Sequence, residues 1–190
     1  MMNQIYVLAI LTFTGTYAQT LLDGKCPSVN VVQNFDVEKY MGKWFEQEKY
    51  PFFHETGGKC ISAEYSLNPN GTVKVLNSKI DISSGNSSSA EGNARLASDT
   101  GEAKLLVQFP SNPVKREAPY WVLSTDYNTY SIVWSCGEMK SSSIRFLWIL
   151  TRERNPKKEI IEKAYAILDE QNISKTYLQK TNRENCPEER

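Results

Sequence analysis

"DVEKYMGKWFEQEKY" (36–50) is the stretch that decides how the rest is read. Gly42 stands at the head of a strand-like run, and Trp44 follows two residues later. Glycine weakens a strand interior, so one placed there marks a bend or a close approach of backbone. The large side chain beside it needs a place to be buried. Working outward from this run, short alternating segments recur between turn residues. "KCISAEYSL" (59–67) ends in "NPNG" (68–71), a turn signal, and "TVKVLNSKI" (72–80) follows as the second arm of a hairpin. "SSGNSS" (83–88) is another turn. "SAEGNARLA" (89–97), "EAKLLVQF" (102–109), "APYWVLSTDY" (118–127), "YSIVWSC" (130–136) and "IRFLWILTR" (144–152) complete the set. Eight strands at steady spacing imply an all-β sandwich or an up-and-down barrel.

The period then changes. In "NPKKEIIEKAYAILDEQN" (155–172), Ile160, Ile161, Ala164, Ile167, Leu168 and Gln171 fall on one face of a helix. Asn155 reads as its N-cap and Pro156 as its first residue. A single helix of about 156–171 after eight strands has to pack on the outside of the sheet. The tail 173–190 is polar apart from Ile173, Tyr177 and Leu178. No linker splits the chain, so 19–190 reads as one domain, with the barrel at about 42–152.

Of the 190 residues, 22 are Lys or Arg and 22 are Asp or Glu. A net charge of zero argues against nucleic acid as the main partner. Residues 1–18 carry no charged side chain, and "IYVLAILTF" (5–13) has the length of a signal-peptide apolar region. The expected cut follows Ala18, so the protein is expected to be secreted. Three sequons agree with export, at Asn70, Asn86 and Asn172. Four cysteines, Cys26, Cys60, Cys136 and Cys186, show no short metal-ligand spacing, so no metal site is expected. They read as two disulfides, with three connectivities open. The charged end "ENCPEER" (184–190) is unlike a lipid-anchor signal.

An eight-stranded closed barrel leaves room for one small ligand. Alternation says which side chains share a face. Val73, Val75 and Asn77 form one set, and Phe146, Trp148, Leu150 and Arg152 another. Asn77 on an apolar stripe is either a satisfied core group or one that orients a ligand.

Three motifs in order, Gly42-Lys43-Trp44, Thr125-Asp126-Tyr127 and Arg152 at the end of the last strand, resemble the signatures of the lipocalins. "GKCP" (24–27), "NFDVEKYMGKW" (34–44), "KVLN" (74–77), "WILTRERNP" (148–156) and "NCP" (185–187) resemble the apolipoprotein D group, which includes the insect Lazarillo and bilin-binding proteins. The resemblance implies an eight-stranded antiparallel up-and-down β-barrel with one C-terminal α-helix packed outside. It implies a short N-terminal 3₁₀ turn before the first strand. The motif residues are then structural: Trp44 plugs the closed end, and the Arg152 guanidinium stacks on it. The resemblance also implies the pairs Cys26–Cys136 and Cys60–Cys186.

For the site, the resemblance implies an apolar pocket lined by Tyr40, Tyr65, Asn77, Phe109, Tyr120 and Trp148. "KYPFFHETGG" (49–58) becomes a lid over the open end. Its Phe52 and Phe53 fold over the ligand, or touch a membrane or lipoprotein particle. "QFPSNPVKREAPY" (108–120) is a second rim loop. His54, the only histidine, belongs to the lid as a surface residue, so no Ser–His–Asp or Cys–His grouping is available. The implied function is a secreted carrier of a small hydrophobic molecule, a fatty acid, sterol or other lipid, without enzymatic activity or a cofactor beyond the ligand, and monomeric. A biliverdin-type tetrapyrrole carrier is the alternative. An isomerase of the prostaglandin D synthase type needs a reactive pocket cysteine, and all four cysteines here have implied partners. A third reading is an interaction module docking through Phe52 and Phe53. A stress-protective role follows from the resemblance alone, since the 108–120 loop has no methionine and Met139 lies elsewhere.

Overall fold

The computed structural model describes residues 20–111 and 116–187. The expected signal peptide lies outside the described residues, as do 112–115 of the second rim loop. Among the described residues ten strands form one sheet: β1 Thr20–Asp23, β2 Gly42–Lys49, β3 Gly58–Leu67, β4 Val73–Asp81, β5 Ser87–Leu96, β6 Lys104–Gln108, β7 Ala118–Thr125, β8 Tyr130–Glu138, β9 Ser142–Thr151 and β10 Gln179–Lys180. From β2 to β9 each strand pairs antiparallel with the next, and β9 pairs back to β2, which closes an eight-stranded barrel. The two additional strands are short. β1 lies against β9 and β10 against β2. At four and two residues, they carry too little alternation to be read from sequence.

Two apolar cores share the barrel wall. One is inside: Trp44, Tyr65, Val73, Val75, Leu105, Val122, Val133 and Leu150 meet there with Tyr40. The other lies between the wall and α2 (Lys158–Glu170): Ala164 and Leu168 of the helix are buried against Ile132, Trp134, Leu147 and Ile149. As a result, β8 is buried on both faces over its first six residues. Tyr130, Ile132 and Trp134 face the helix side, while Val133 faces the lumen.

The helix starts later than its expected bounds. Lys157, in extended backbone, holds the N-cap position with no side-chain cap, so Asn155 is not the cap and Pro156 lies before the helix. The preceding carbonyls explain the delay. Those of Glu153 and Arg154 accept from Gln47 Nε2 at 3.3 and 3.2 Å, and Arg154 O also accepts from Arg183 at 2.7 Å. A segment held crosswise in this way cannot yet coil. At the other end Asn172 adopts φ 55°. Ile173 N then reaches back to Leu168 O at 2.9 Å, which closes the helix in the left-handed manner.

The segment ahead of β2 is α1 (Val37–Tyr40), one α-helical turn where a 3₁₀ turn was expected. Asp36 caps it by accepting from Lys39 N at 3.1 Å, and Tyr40 N donates to Asp36 O at 3.2 Å, the i→i+4 bond of an α turn. Gly42 follows with φ 88°, a left-handed conformation that disfavours any side chain, and a Cβ there would meet the Arg152 guanidinium at 3.2 Å. Arg152 lies 3.7 Å from the centre of the Trp44 ring. It also donates to the carbonyls of Tyr127, Lys43 and Lys39 at 2.9, 2.9 and 3.1 Å. Asp126 holds the adjoining β7–β8 turn by accepting from Thr129 N and Tyr130 N, and Thr125 Oγ1 donates to Tyr130 O. The three motifs therefore meet at one end of the barrel, as a floor.

The disulfides are Cys26–Cys136 and Cys60–Cys186. The second holds the tail where the wall would otherwise part. β2 and β3 pair only from Gly42↔Tyr65 to Phe45↔Ser62. Beyond that, Thr181 N donates to Gln47 O at 3.0 Å and Cys60 N donates to Asn182 O at 2.9 Å, so the tail bridges the two strands. The three sequon asparagines are all exposed.

Candidate functional site

The barrel encloses a cavity of about 300 Å³. Its wall follows from strand parity. Val73, Val75 and Asn77 of β4 line it, with Leu105, Val107 and Phe109 along and just past β6, and Phe146, Trp148 and Leu150 of β9. Tyr40, Tyr65 and Tyr120 line it as well, so all six residues singled out for the pocket border one space. Tyr40 belongs to α1, outside the strands, and is nevertheless buried, because that turn is tucked under the barrel.

Toward the floor the tyrosine hydroxyls converge. Tyr120 Oη is 3.0 Å from Tyr40 Oη and 2.9 Å from Tyr65 Oη, and Tyr40 Oη is 2.8 Å from Ser131 Oγ. Burial pushes all three phenols up, Tyr40 to about 12, so each stays neutral at any physiological pH. Four hydroxyls carry four protons and share three contacts. One proton is left for an acceptor outside the cluster. Ser131 had no signal of its own in the sequence, because a serine on a strand reads as solvent-facing.

At the mouth the lid is a 3₁₀ turn, Phe53–Glu55. Its two phenylalanines both border the cavity and meet edge-to-face at 6.0 Å, but they differ in exposure. Phe52 folds inward, with its ring 5.3 Å from Phe146 and 5.8 Å from Trp148. Phe53 is 53% exposed and packs on His54 at 3.8 Å. His54 is exposed but borders the cavity rim.

The lid is tied down by a buried group of ionisable side chains that the sequence reading missed. Lys49 Nζ pairs with Glu55, and lies 3.0 Å from Glu46 Oε1. Glu46 also accepts from the Thr181 hydroxyl of the tail. Both carboxylates border the cavity. Burial, then the nearby Glu46 carboxylate, push the Glu55 carboxyl up to about 8, against 4.5 for a free one. The one available signal was the run "EQEK", four polar residues in a strand with no solvent-facing side to hold them.

This has a pH consequence. A raised carboxyl favours the closed lid at low pH, and that contribution is lost as pH rises from about 4.5 through about 8. Amide exchange in the lid, corrected for its intrinsic pH dependence, is expected to quicken across this range. In Glu55→Gln the trend should vanish. An unchanged slope in that variant would refute the role given to Glu55.

A closed antiparallel barrel with a plugged floor, an open mouth and an apolar lumen defines a small-ligand-binding barrel. The chain matches the Lipocalin-like domain over residues 35–183. It is 39% identical over 191 residues to apolipoprotein D from Rattus norvegicus, covering 99% of each chain. It is 36% identical to bilin-binding protein from Pieris brassicae, covering 78% of each chain. Among solved structures, insecticyanin from the tobacco hornworm Manduca sexta superposes with a TM-score of 0.79 at 26% identity, covering 88% of this chain and 91% of that one. The chain belongs to the lipocalin family.

Proposed function

We propose that this lipocalin is a secreted carrier of one small, mostly apolar lipid, with a fatty acid or a sterol as the leading class. The observation that carries the reading is the shape of the cavity's polarity: apolar walls, a neutral hydroxyl cluster at the blind end, and an aromatic lid. Such a site binds by removing ligand surface from water. Burying roughly 300 Å² at about 25 cal/mol/Å² offers about 7–8 kcal/mol before immobilisation costs. That gross figure corresponds to a Kd of about 1–10 μM, so low-micromolar affinity is the upper bound from burial alone. The spare hydroxyl proton suits a ligand carbonyl, carboxylate or hydroxyl. Two disulfides accord with an oxidising compartment. The exposed Phe53 is the residue that would touch a membrane or lipoprotein particle.

A linear tetrapyrrole is the second reading, favoured by the likeness to bilin-binding protein. Against it, a cavity of about 300 Å³ lies at the small end of the usual range of roughly 300–1,000 Å³.

Trp148 faces the cavity next to Phe52 and serves as the internal reporter. Arachidonate is expected to quench tryptophan fluorescence saturably at about micromolar concentration, and Trp148→Ala should abolish most of that quenching. A blue-green protein carrying a stoichiometric tetrapyrrole after secretion from eukaryotic cells would favour the second reading. No saturable ligand of either kind would overturn the carrier reading.

A further inference from the structure

We propose that Gly92 and Phe109 together set the girth of ligand that the barrel admits. The inference rests on the carrier reading above and adds to it a determinant of selectivity.

The inward face of β5 is unusual. By parity Ala90, Gly92 and Ala94 share one face and Glu91, Asn93 and Arg95 the other; Gly92 and Ala94 are buried, while Ala90, toward the rim, is exposed. Ala94 borders the main cavity, and Ala90 borders a second cavity of about 200 Å³ beneath the lid. Inward neighbours on the flanking strands are larger: Val75 is paired with Gly92 in register, and Val107 with Ala94. Three small residues in succession leave a recess in the wall.

Phe109 occupies it. A Cβ built on Gly92 would come within 2.8 Å of both Cδ1 and Cε1 of the Phe109 ring, and within 2.9 Å of Gln108 O. Real side chains do not approach so closely. Gly92 is therefore required by contact with the ring, and it lacks the positive φ seen at Gly42. With its edge resting on bare backbone, the ring lies against the wall and leaves the lumen open.

The position of the ring has a second effect. Phe109 borders both cavities, as does Phe52. The second cavity has a different lining, with Ser78, Lys79, Ser88 and Ser89. The two rings are among the residues that border both spaces, with His54, Glu55, Ile61 and Asn77, where the apolar lumen opens into a hydroxyl-lined recess at the rim. With Phe109 parked on Gly92, a slim acyl chain passes along the main cavity. A ligand as broad as a tetrapyrrole needs the space that Phe109 fills where the two spaces meet.

The test compares two probes of different girth, arachidonate and biliverdin, by tryptophan quenching on the disulfide-intact secreted protein. Phe109→Ala is expected to move them in opposite directions. Arachidonate should weaken about threefold through lost ring contact, and biliverdin should tighten about tenfold or more as the chambers merge. Gly92→Ala should weaken both, because the displaced ring enters the lumen. Adding Phe109→Ala to Gly92→Ala should restore arachidonate binding, a coupling that a double-mutant cycle reads directly. Wild-type binding with parallel changes in both probes for Phe109→Ala overturns the inference and leaves the carrier reading standing. Binding of neither probe by wild type or by any variant overturns both. Should Gly92→Ala fail to fold, as far-UV circular dichroism would show, the sign of the Phe109→Ala shifts alone decides.

Discussion

Trp44→Ala is expected to remove about 3–5 kcal/mol of folding stability, the range for deleting a fully buried large aromatic. Trp44 has no exposed surface. Its ring lies between Tyr40, at 5.2 Å, and the Arg152 guanidinium, at 3.7 Å. Its indole N–H donates to Tyr40 O at 2.9 Å. Alanine leaves a void at the floor, deprives Tyr40 O of a donor, and removes the face on which Arg152 rests. The last contact alone contributes on the order of 1–2 kcal/mol when desolvated. Urea unfolding followed by far-UV circular dichroism measures the loss. Trp148→Ala is the matched control. That residue is half-buried at the cavity, so its replacement should reduce ligand binding more than stability. Reversed results, with Trp44→Ala stable but unable to bind ligand, would move the functional site from the lumen to the floor.

Breaking Cys60–Cys186 in the double variant Cys60→Ser/Cys186→Ser is expected to cost about 4–5 kcal/mol on the chain-entropy account. The bond closes a loop with a sequence separation of 126. Cys26–Cys136, at 110, should be worth nearly as much by that account, since the dependence on length is logarithmic. The two differ in what they hold. Cys60–Cys186 anchors the tail that bridges β2 and β3 through Thr181 and Asn182. Without it, Lys180 and Arg183 should become early trypsin sites, while the Cys26→Ser/Cys136→Ser variant should keep its tail protected. Mass spectrometry of brief digests reads this. Equal tail protection in both variants would show that the hydrogen bonds alone hold the wall closed.

Much of the architecture was legible because strand parity is local. An alternating run such as "TVKVLN" puts Val73, Val75 and Asn77 on one face whatever the tertiary fold. The floor was legible for a different reason. Its parts, Gly42, Trp44, Asp126 and Arg152, belong to three motifs whose order along the chain resembles the lipocalin signatures, and that resemblance implied the floor. The helix was legible from its apolar stripe, but its start was not. The Pro156 signal was outweighed by Gln47 and Arg183 holding the carbonyls ahead of it.

Parity assigns residues to sets without saying which set is inside. Where both faces are buried, hydrophobicity cannot choose. β8 turns Trp134 to the helix and Val133 to the lumen, and it brings Ser131 to the Tyr40 hydroxyl. The bulge in β2 between Glu46 and Glu48 adds a shift that alternation cannot foresee. The charged Glu46–Lys49–Glu55 group and the Thr181 contact join residues separated by up to 135 positions. By itself the chain's sequence determined the eight strands, the sets of side chains that share a face and the helix, since those follow from local period, while the closed barrel and its floor came from the resemblance of the three motifs to lipocalin signatures. Only the tertiary structure decided that hydroxyls from positions 40, 65, 120 and 131 meet, and that Phe109 rests on Gly92. Both depend on register and closure, which are set by the whole sheet at once.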